Sequence, residues 1–166
     1  MELQQSSTPS NQPTGCCPPF DPSPFQDVEL TWKDEPFVVD HVTSVLHVPL
    51  NMNRKMAKNQ ALIRAAGAEP AVPLMLCDES SPWGTDLHIR VSKPVPGARM
   101  VTLSGTFLTR VYEGPYRDAP RWAADMHRFV AERGKTVEKL YFAYTTCPAC
   151  AKAYGKNYVV LFARLA

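Results

Sequence analysis

Apolar positions along the chain change their period in a fixed order, and the order occurs twice. The β-branched run FVVDHVTSVLHVPL (37–50) reads as a strand and is closed by Pro49. NMNRKMAKNQALIRAAG (51–67) then places Met52, Met56, Asn59, Ile63 and Ala66 on one helical face, with Asn51 as candidate N-cap and Gly67 as the stop. Two short runs follow, AVPLML (71–76) and TDLHIRVS (85–92), separated by the turn-forming DESSPWG.

The second pass opens with GTFLTRVYEG (105–114), where Phe107, Thr109, Val111 and Glu113 share one strand face and Leu108, Arg110 and Tyr112 the other. A helix over 118–133 comes next, with Asp118 as candidate N-cap, Pro120 in its first turn, a stripe of Trp122, Met126, Phe129 and Val130, and Gly134 at its end. KLYFAYTT (139–146) and NYVVLFARL (157–165) then form a strand pair around the turn Cys147-Pro-Ala-Cys150. The helix-ending glycines stand 67 residues apart.

Two strand-helix-strand-strand modules, each with one helix on a mostly antiparallel sheet, must bury their open edges against each other. The expected fold is α+β: tandem modules (about 37–92 and 105–165) related by a pseudo-two-fold, an antiparallel-rich sheet with two helices on one side, and a groove between the modules. Residues 1–26, rich in Ser, Gln and Pro, read as a tail or arm preceding a single domain over 27–166. Phe20 and Phe25 suggest that its last part lies against the domain.

Composition narrows the function. A net charge of +2 with both signs interspersed leaves no basic stripe for a phosphate backbone, which argues against nucleic acid as a direct partner. No apolar run reaches membrane-spanning length, and the N-terminus lacks the basic start and apolar stretch of a signal peptide, so a cytoplasmic protein with no membrane partner is expected. Its five cysteines are then thiols or metal ligands. Cys147 and Cys150 have the spacing of half a zinc site, which Cys16 or Cys17 would complete as a structural clamp. The other readings of that turn are redox chemistry and simple hairpin closure. A thioredoxin-like site is disfavoured because the motif lies between two strands. His41 and His47, six apart on one strand, read as structural, and neither a phosphate-binding loop nor a serine nucleophile elbow is present.

The repeated module order, with YEGPYRDAPRW joining strand to helix in the second pass, resembles the GyrI-like small-molecule-binding superfamily, which also supplies effector domains of multidrug-responsive regulators. More narrowly, CCPPFDP, SPWGTD, LSGTFLTRVYEGPY and YTTCPACAKAYGKNYVVLFA are similar to a bacterial family labelled as hydrolases, over roughly residues 16–166. Many drug-binding members of the superfamily carry a groove-facing glutamate where this chain reads Phe142-Ala143-Tyr144-Thr145-Thr146, without an acid.

The resemblance implies a small-molecule ligand in an aromatic groove and makes Glu113, at the end of its strand, the candidate acid-base residue. Trp83, Tyr112, Tyr116 and Tyr144 are the candidate ligand-binding aromatics, and Trp122 is expected in the core. Asp86, near Trp83, is a second candidate carboxylate or a turn cap. The leading reading is a small-molecule binding protein with hydrolase chemistry on a hydrophobic or planar substrate. The alternatives are a non-catalytic effector-binding or sequestering module, and a metal- or thiol-sensing protein. The oligomeric state is left open.

Overall fold

The structure, a computed structural model, describes residues 20–146 and 148–166. Its elements are β1 (Val28–Val45), β2 (Val48–Pro49), α1 (Met52–Ala65), β3 (Met75–Ser81), β4 (Gly84–Arg90), β5 (Met100–Glu113), α2 (Ala119–Glu132), β6 (Val137–Tyr144), α3 (Pro148–Tyr154) and β7 (Tyr158–Leu165). All strand pairs are antiparallel. Beyond the β2 edge the order is β1-β4-β3-β6-β7-β5, and β5 pairs back onto β1, closing the sheet into a ring.

Two long strands make the closure. The first half of β1 pairs with β5 from Val28↔Thr109 to Val38↔Met100, and its second half pairs with β4 from Phe37↔Arg90 to Thr43↔Gly84. β5 is built alike, pairing with β1 through its first half and with β7 from Phe107↔Arg164 to Glu113↔Tyr158. A bulge between Trp32 and Glu35 bends β1 where it crosses β5. There Asp34 takes a left-handed φ of 51° and its backbone N–H donates to Ser104 Oγ. The predicted pseudo-two-fold thus relates β1 to β5, β4 to β7 and β3 to β6.

Period-2 alternation divides the strands between two apolar layers. On the helix side, Trp122, Met126, Phe129 and Val130 of α2 pack on Leu108, Phe142, Val159 and Leu161, while Ile63 of α1 packs on Val38 and Ile89. The opposite face joins Phe37, Leu76, Phe107, Tyr141, Val160 and Phe162. Full burial of side chains such as Phe107, Phe162 and Met126 contributes about 1.5–3 kcal/mol each.

Several local expectations change. The first strand begins at Val28, not Phe37, because its N-terminal half is covered by β5, which no local pattern announces. DESSPWG is mostly strand; the turn is only Pro82-Trp83. His47 does not share a strand face with His41: with Leu46 it forms a two-residue turn in which both φ values are positive, 48° and 66°. His41 also has an acid partner, Asp86, directly opposite it on β4 and bonded through Nδ1 at 2.8 Å. Neither Asn51 nor Asp118 caps its helix by a side-chain bond. Asn51 Oδ1 accepts instead from the Thr43 backbone N–H, tying α1 to β1. Where a turn was expected between the last two strands, Pro148–Tyr154 form α3, a helix of seven residues between antiparallel β6 and β7.

Candidate functional site

The ring has two joints between modules, and they are unequal. The β1–β5 joint carries nine residue pairs, whereas β3 and β6 meet in a single pair, Cys77↔Phe142. Extending that register would set Met75 opposite Tyr144 and Leu74 opposite Thr145. These positions do not pair with each other across the seam, and all four residues line a cavity of about 810 Å³. α1 supplies Met56, Gln60 and Ile63 to its wall, β7 supplies Val160 and Phe162, and the segment before β1 supplies Phe20, Pro24 and Phe25. The volume lies within the range of small-molecule sites, and the lining is mostly apolar, with Asp21, Gln60, Arg64, Glu69 and Arg90 among its polar groups. Two arginines at the cavity are each beside a carboxylate: Arg90 Nε lies 2.9 Å from Glu35 and Arg64 Nε 3.9 Å from Glu69.

Tyr144 gives the cavity its polar handle. Its hydroxyl donates to Glu79 Oε1 at 2.6 Å, a bond from module two to module one. Burial raises the Glu79 pKa and outweighs the opposing pull of the Tyr144 hydroxyl and of nearby His47. Burial, then the Glu79 charge, pushes Tyr144 up in turn, so its hydroxyl keeps its proton. The Tyr144 ring is stacked with Phe142 at 6.2 Å and meets the edge of Tyr116 at 5.6 Å. Tyr116 donates its hydroxyl hydrogen to the Thr146 carbonyl at 2.7 Å.

The loop carrying α3 is pinned at both ends by residues of the YTTCPACAKAYGKNY string. Thr145 Oγ1 donates to the Tyr158 carbonyl at 2.6 Å, and Thr146 Oγ1 to Asn157 Oδ1 at 3.2 Å. Asn157 Nδ2 donates to the Gly114 carbonyl at 2.7 Å. Gly114 has a φ of 145°, and a Cβ there would lie 3.4 Å from both Asp118 and Trp122. The Gly-Pro-Tyr junction thereby turns the chain from β5 toward α2 and delivers Tyr116 to Tyr144.

Of the residues singled out in sequence, the structure brings Tyr116 and Tyr144 together, and Tyr144 lines the cavity. Tyr112 belongs to the α2 packing: it stacks on Trp122 at 5.7 Å and donates to Asp125 at 2.7 Å. Glu113 is exposed at the end of β5, and Trp83 is 62% exposed in the β3–β4 turn; neither lines this cavity. Asp86 holds His41, as described. Cys16, Cys17 and Cys147 lie outside the described residues, and Cys150 is buried in α3. Among the described residues no three His, Cys, Asp or Glu side chains are grouped to hold a metal ion. Glu79 was missed because DESSPWG looked like a turn. Its signal was period 2: as a strand, the stretch puts Glu79 on the face of Cys77, toward the helices.

A closed sheet of two tandem modules with an aromatic-lined cavity at their seam is the build of a small-molecule-binding domain. The chain belongs to the Bacterial hydrolase family, whose model matches residues 7–165. A hydrolase from Listeria innocua has a similar fold, with 14% identity and a TM-score of 0.61 over 85% of this chain and 92% of its own. An uncharacterized conserved protein of the same organism matches at 12% identity and TM-score 0.60, with the same coverage of 85% and 92%. The EcmrR C-terminal domain matches at 9% and 0.58, over 86% of this chain and 98% of that domain. At these identities the likeness is one of fold. No curated protein matches the chain. No helix among the described residues is long and apolar enough to cross a membrane.

Proposed function

We propose that this protein binds a hydrophobic or planar small molecule in the seam cavity, with Tyr144 as a polar contact. The observation that carries this is the double position of Tyr144, at once a wall of the cavity and the hydrogen-bond partner of a half-buried carboxylate. Both lining arginines stand beside carboxylates, and Asp21 and Glu69 also line the wall, but most of the lining is apolar, so a hydrophobic ligand gains most on transfer from water. Glu79 fixes the Tyr144 hydroxyl hydrogen, leaving the oxygen lone pairs free to accept from a ligand donor.

Hydrolysis, the activity in the family's name, is the second reading. Glu79 is its acid-base candidate from module one and Glu113 its candidate from module two. Glu79 has the raised pKa such work needs, but it stands behind Tyr144 and does not itself line the cavity. That placement favours recognition over water activation. The test is titration with a neutral fluorescent probe, N-phenyl-1-naphthylamine, together with turnover of a panel of aryl esters and amides. Probe binding weakened about tenfold or more in Tyr144→Ala, with no turnover, supports the binding protein. Turnover abolished by Glu79→Gln or Glu113→Gln while the probe still binds supports the hydrolase and assigns its carboxylate.

A further inference from the structure

One wall of the seam cavity is not part of the sheet. Phe20, Asp21, Pro24 and Phe25 line it from a segment that precedes the first strand pair at Val28. We infer that residues 20–26 form a displaceable strap that opens and closes the cavity to its ligand, swinging about Asp27. The inference rests on the reading of the cavity as the ligand site.

The segment is stiff within itself. Asp21 Oδ1 accepts from both the backbone N–H and the Oγ of Ser23, at 3.0 and 2.7 Å, and the Phe25 N–H donates to the Pro22 carbonyl at 3.0 Å. Pro22 and Pro24 fix their own φ angles, and the two phenylalanine rings stack at 5.9 Å. It therefore moves as one piece.

Its attachment to the ring is light. Among the described residues, the hydrogen bond from the sheet to residues 20–26 is that of Thr109 Oγ1 to the Phe25 carbonyl, at 2.8 Å. The same hydroxyl lies 3.2 Å from the Val28 carbonyl, so its single hydrogen is shared with the first residue of β1. Thr109 is fully buried on the β5 face of Phe107 and Val111, where a hydroxyl is costly unless bonded. The remaining hold is ring contact, Phe25 with Phe162 at 5.9 Å and Phe20 with Tyr158 at 6.0 Å, and both phenylalanines are only half-buried.

The pivot is marked by backbone geometry. Asp27 has a φ of 54°, a left-handed conformation that costs a non-glycine residue free energy and is available to be relieved on opening. Its carboxylate is held by Arg110 at 3.1 Å, from β5, so the pivot stays with the sheet while the piece before it moves. A stiff piece, a light tether and a pivot at the start of a strand are the components of a lid.

The experiment is stopped-flow binding of N-phenyl-1-naphthylamine to the full chain, wild type and Thr109→Val, with Asp27→Gly, which frees the pivot, as a second variant. Folding of each is checked by near-UV circular dichroism and urea unfolding. Loosening a lid speeds passage both ways: the association and dissociation rate constants should each rise about fivefold or more in at least one variant, with Kd within about twofold of wild type. Unchanged association in both variants, with or without faster dissociation, would make the segment a fixed wall and overturn the inference. Leu74→Trp, which narrows the cavity away from the strap, separates the two claims. Binding that survives Leu74→Trp unchanged places the probe elsewhere and overturns the cavity reading and the strap with it. Binding lost in Leu74→Trp, with wild-type rates in both strap variants, overturns the strap alone. No binding by any form overturns both.

Discussion

Tyr144 and Glu79 stand on different modules, on strands joined by one residue pair, and yet share a hydrogen bond of 2.6 Å. The bond does at the seam what a strand ladder does elsewhere. Removing the hydroxyl leaves a half-buried carboxylate without its donor, so Tyr144→Phe should destabilise the fold by about 1–3 kcal/mol. Glu79→Gln should cost less, because an amide oxygen can still accept. A double-mutant cycle by urea unfolding should return a coupling of about 0.5–3 kcal/mol between the two residues, and additivity would show that the bond does not hold the modules together.

The same carboxylate sets a pH dependence. Burial raises the Glu79 pKa, so the folded chain keeps a proton there at pH values where the unfolded chain has released it. This contribution to stability is full below the ordinary glutamate value of about 4.3 and is lost as pH rises through the raised folded value. Glu79→Gln should flatten that slope in urea midpoints measured between pH 4 and 8.

Asp40 runs the other way. Burial alone would raise its pKa, but bonds from Asn59 at 2.8 Å and Lys55 at 2.9 Å prevail and hold it at about 2. Its contribution is full above the ordinary aspartate value, about 3.9, and is lost as pH falls through about 2. Asp40→Asn should remove this acid-side loss and lower the stability at pH 7.

Asn157 bonds both Thr146 and the Gly114 carbonyl, joining the α3 loop to the junction that carries Tyr116. Asn157→Ala should cost about 1–3 kcal/mol. It should also speed amide hydrogen exchange around residues 145–158 more than in β1, and uniform acceleration along the chain would contradict this local role.

Gly84 is glycine for room. A Cβ there would sit 2.3 Å from His41 Cε1 and 2.5 Å from Nε2, so Gly84→Ala must swing the imidazole off Asp86. The expected loss is about 0.5–1.5 kcal/mol, reduced in a His41→Ala background. An equal loss in both backgrounds would move the cause to the backbone.

The two helices and the order of the modules were legible because Trp122, Met126, Phe129 and Val130, and Met56 with Ile63, keep a period that only a helix satisfies. Phe20 and Phe25 betrayed the arm because large rings in a proline-rich stretch need something to cover them. The length of β1 was not legible: Val28–Glu35 is covered by β5, and no pattern local to those residues reports a partner some 70 positions away. Glu79 was hidden for a related reason. Asp, Glu and two serines in a row are turn-like by composition, and only the pairing of β3 with β4 and β6 shows that Glu79 is turned toward Tyr144. Local periodicity carries elements; a site made by closing a ring is a property of long-range pairing.

The ring's two joints have a symmetry of their own. Each pairs a strand with its own counterpart in the other module, antiparallel, β1 with β5 and β3 with β6. Such a contact is isologous, the kind that two copies of one subunit make across a dyad. A module carrying both edges could meet a second copy of itself at both joints, as a homodimer. Within one chain the two halves are free to differ, so that one supplies Glu79 and the other Tyr144, a pairing that two identical subunits could make only by carrying both residues twice.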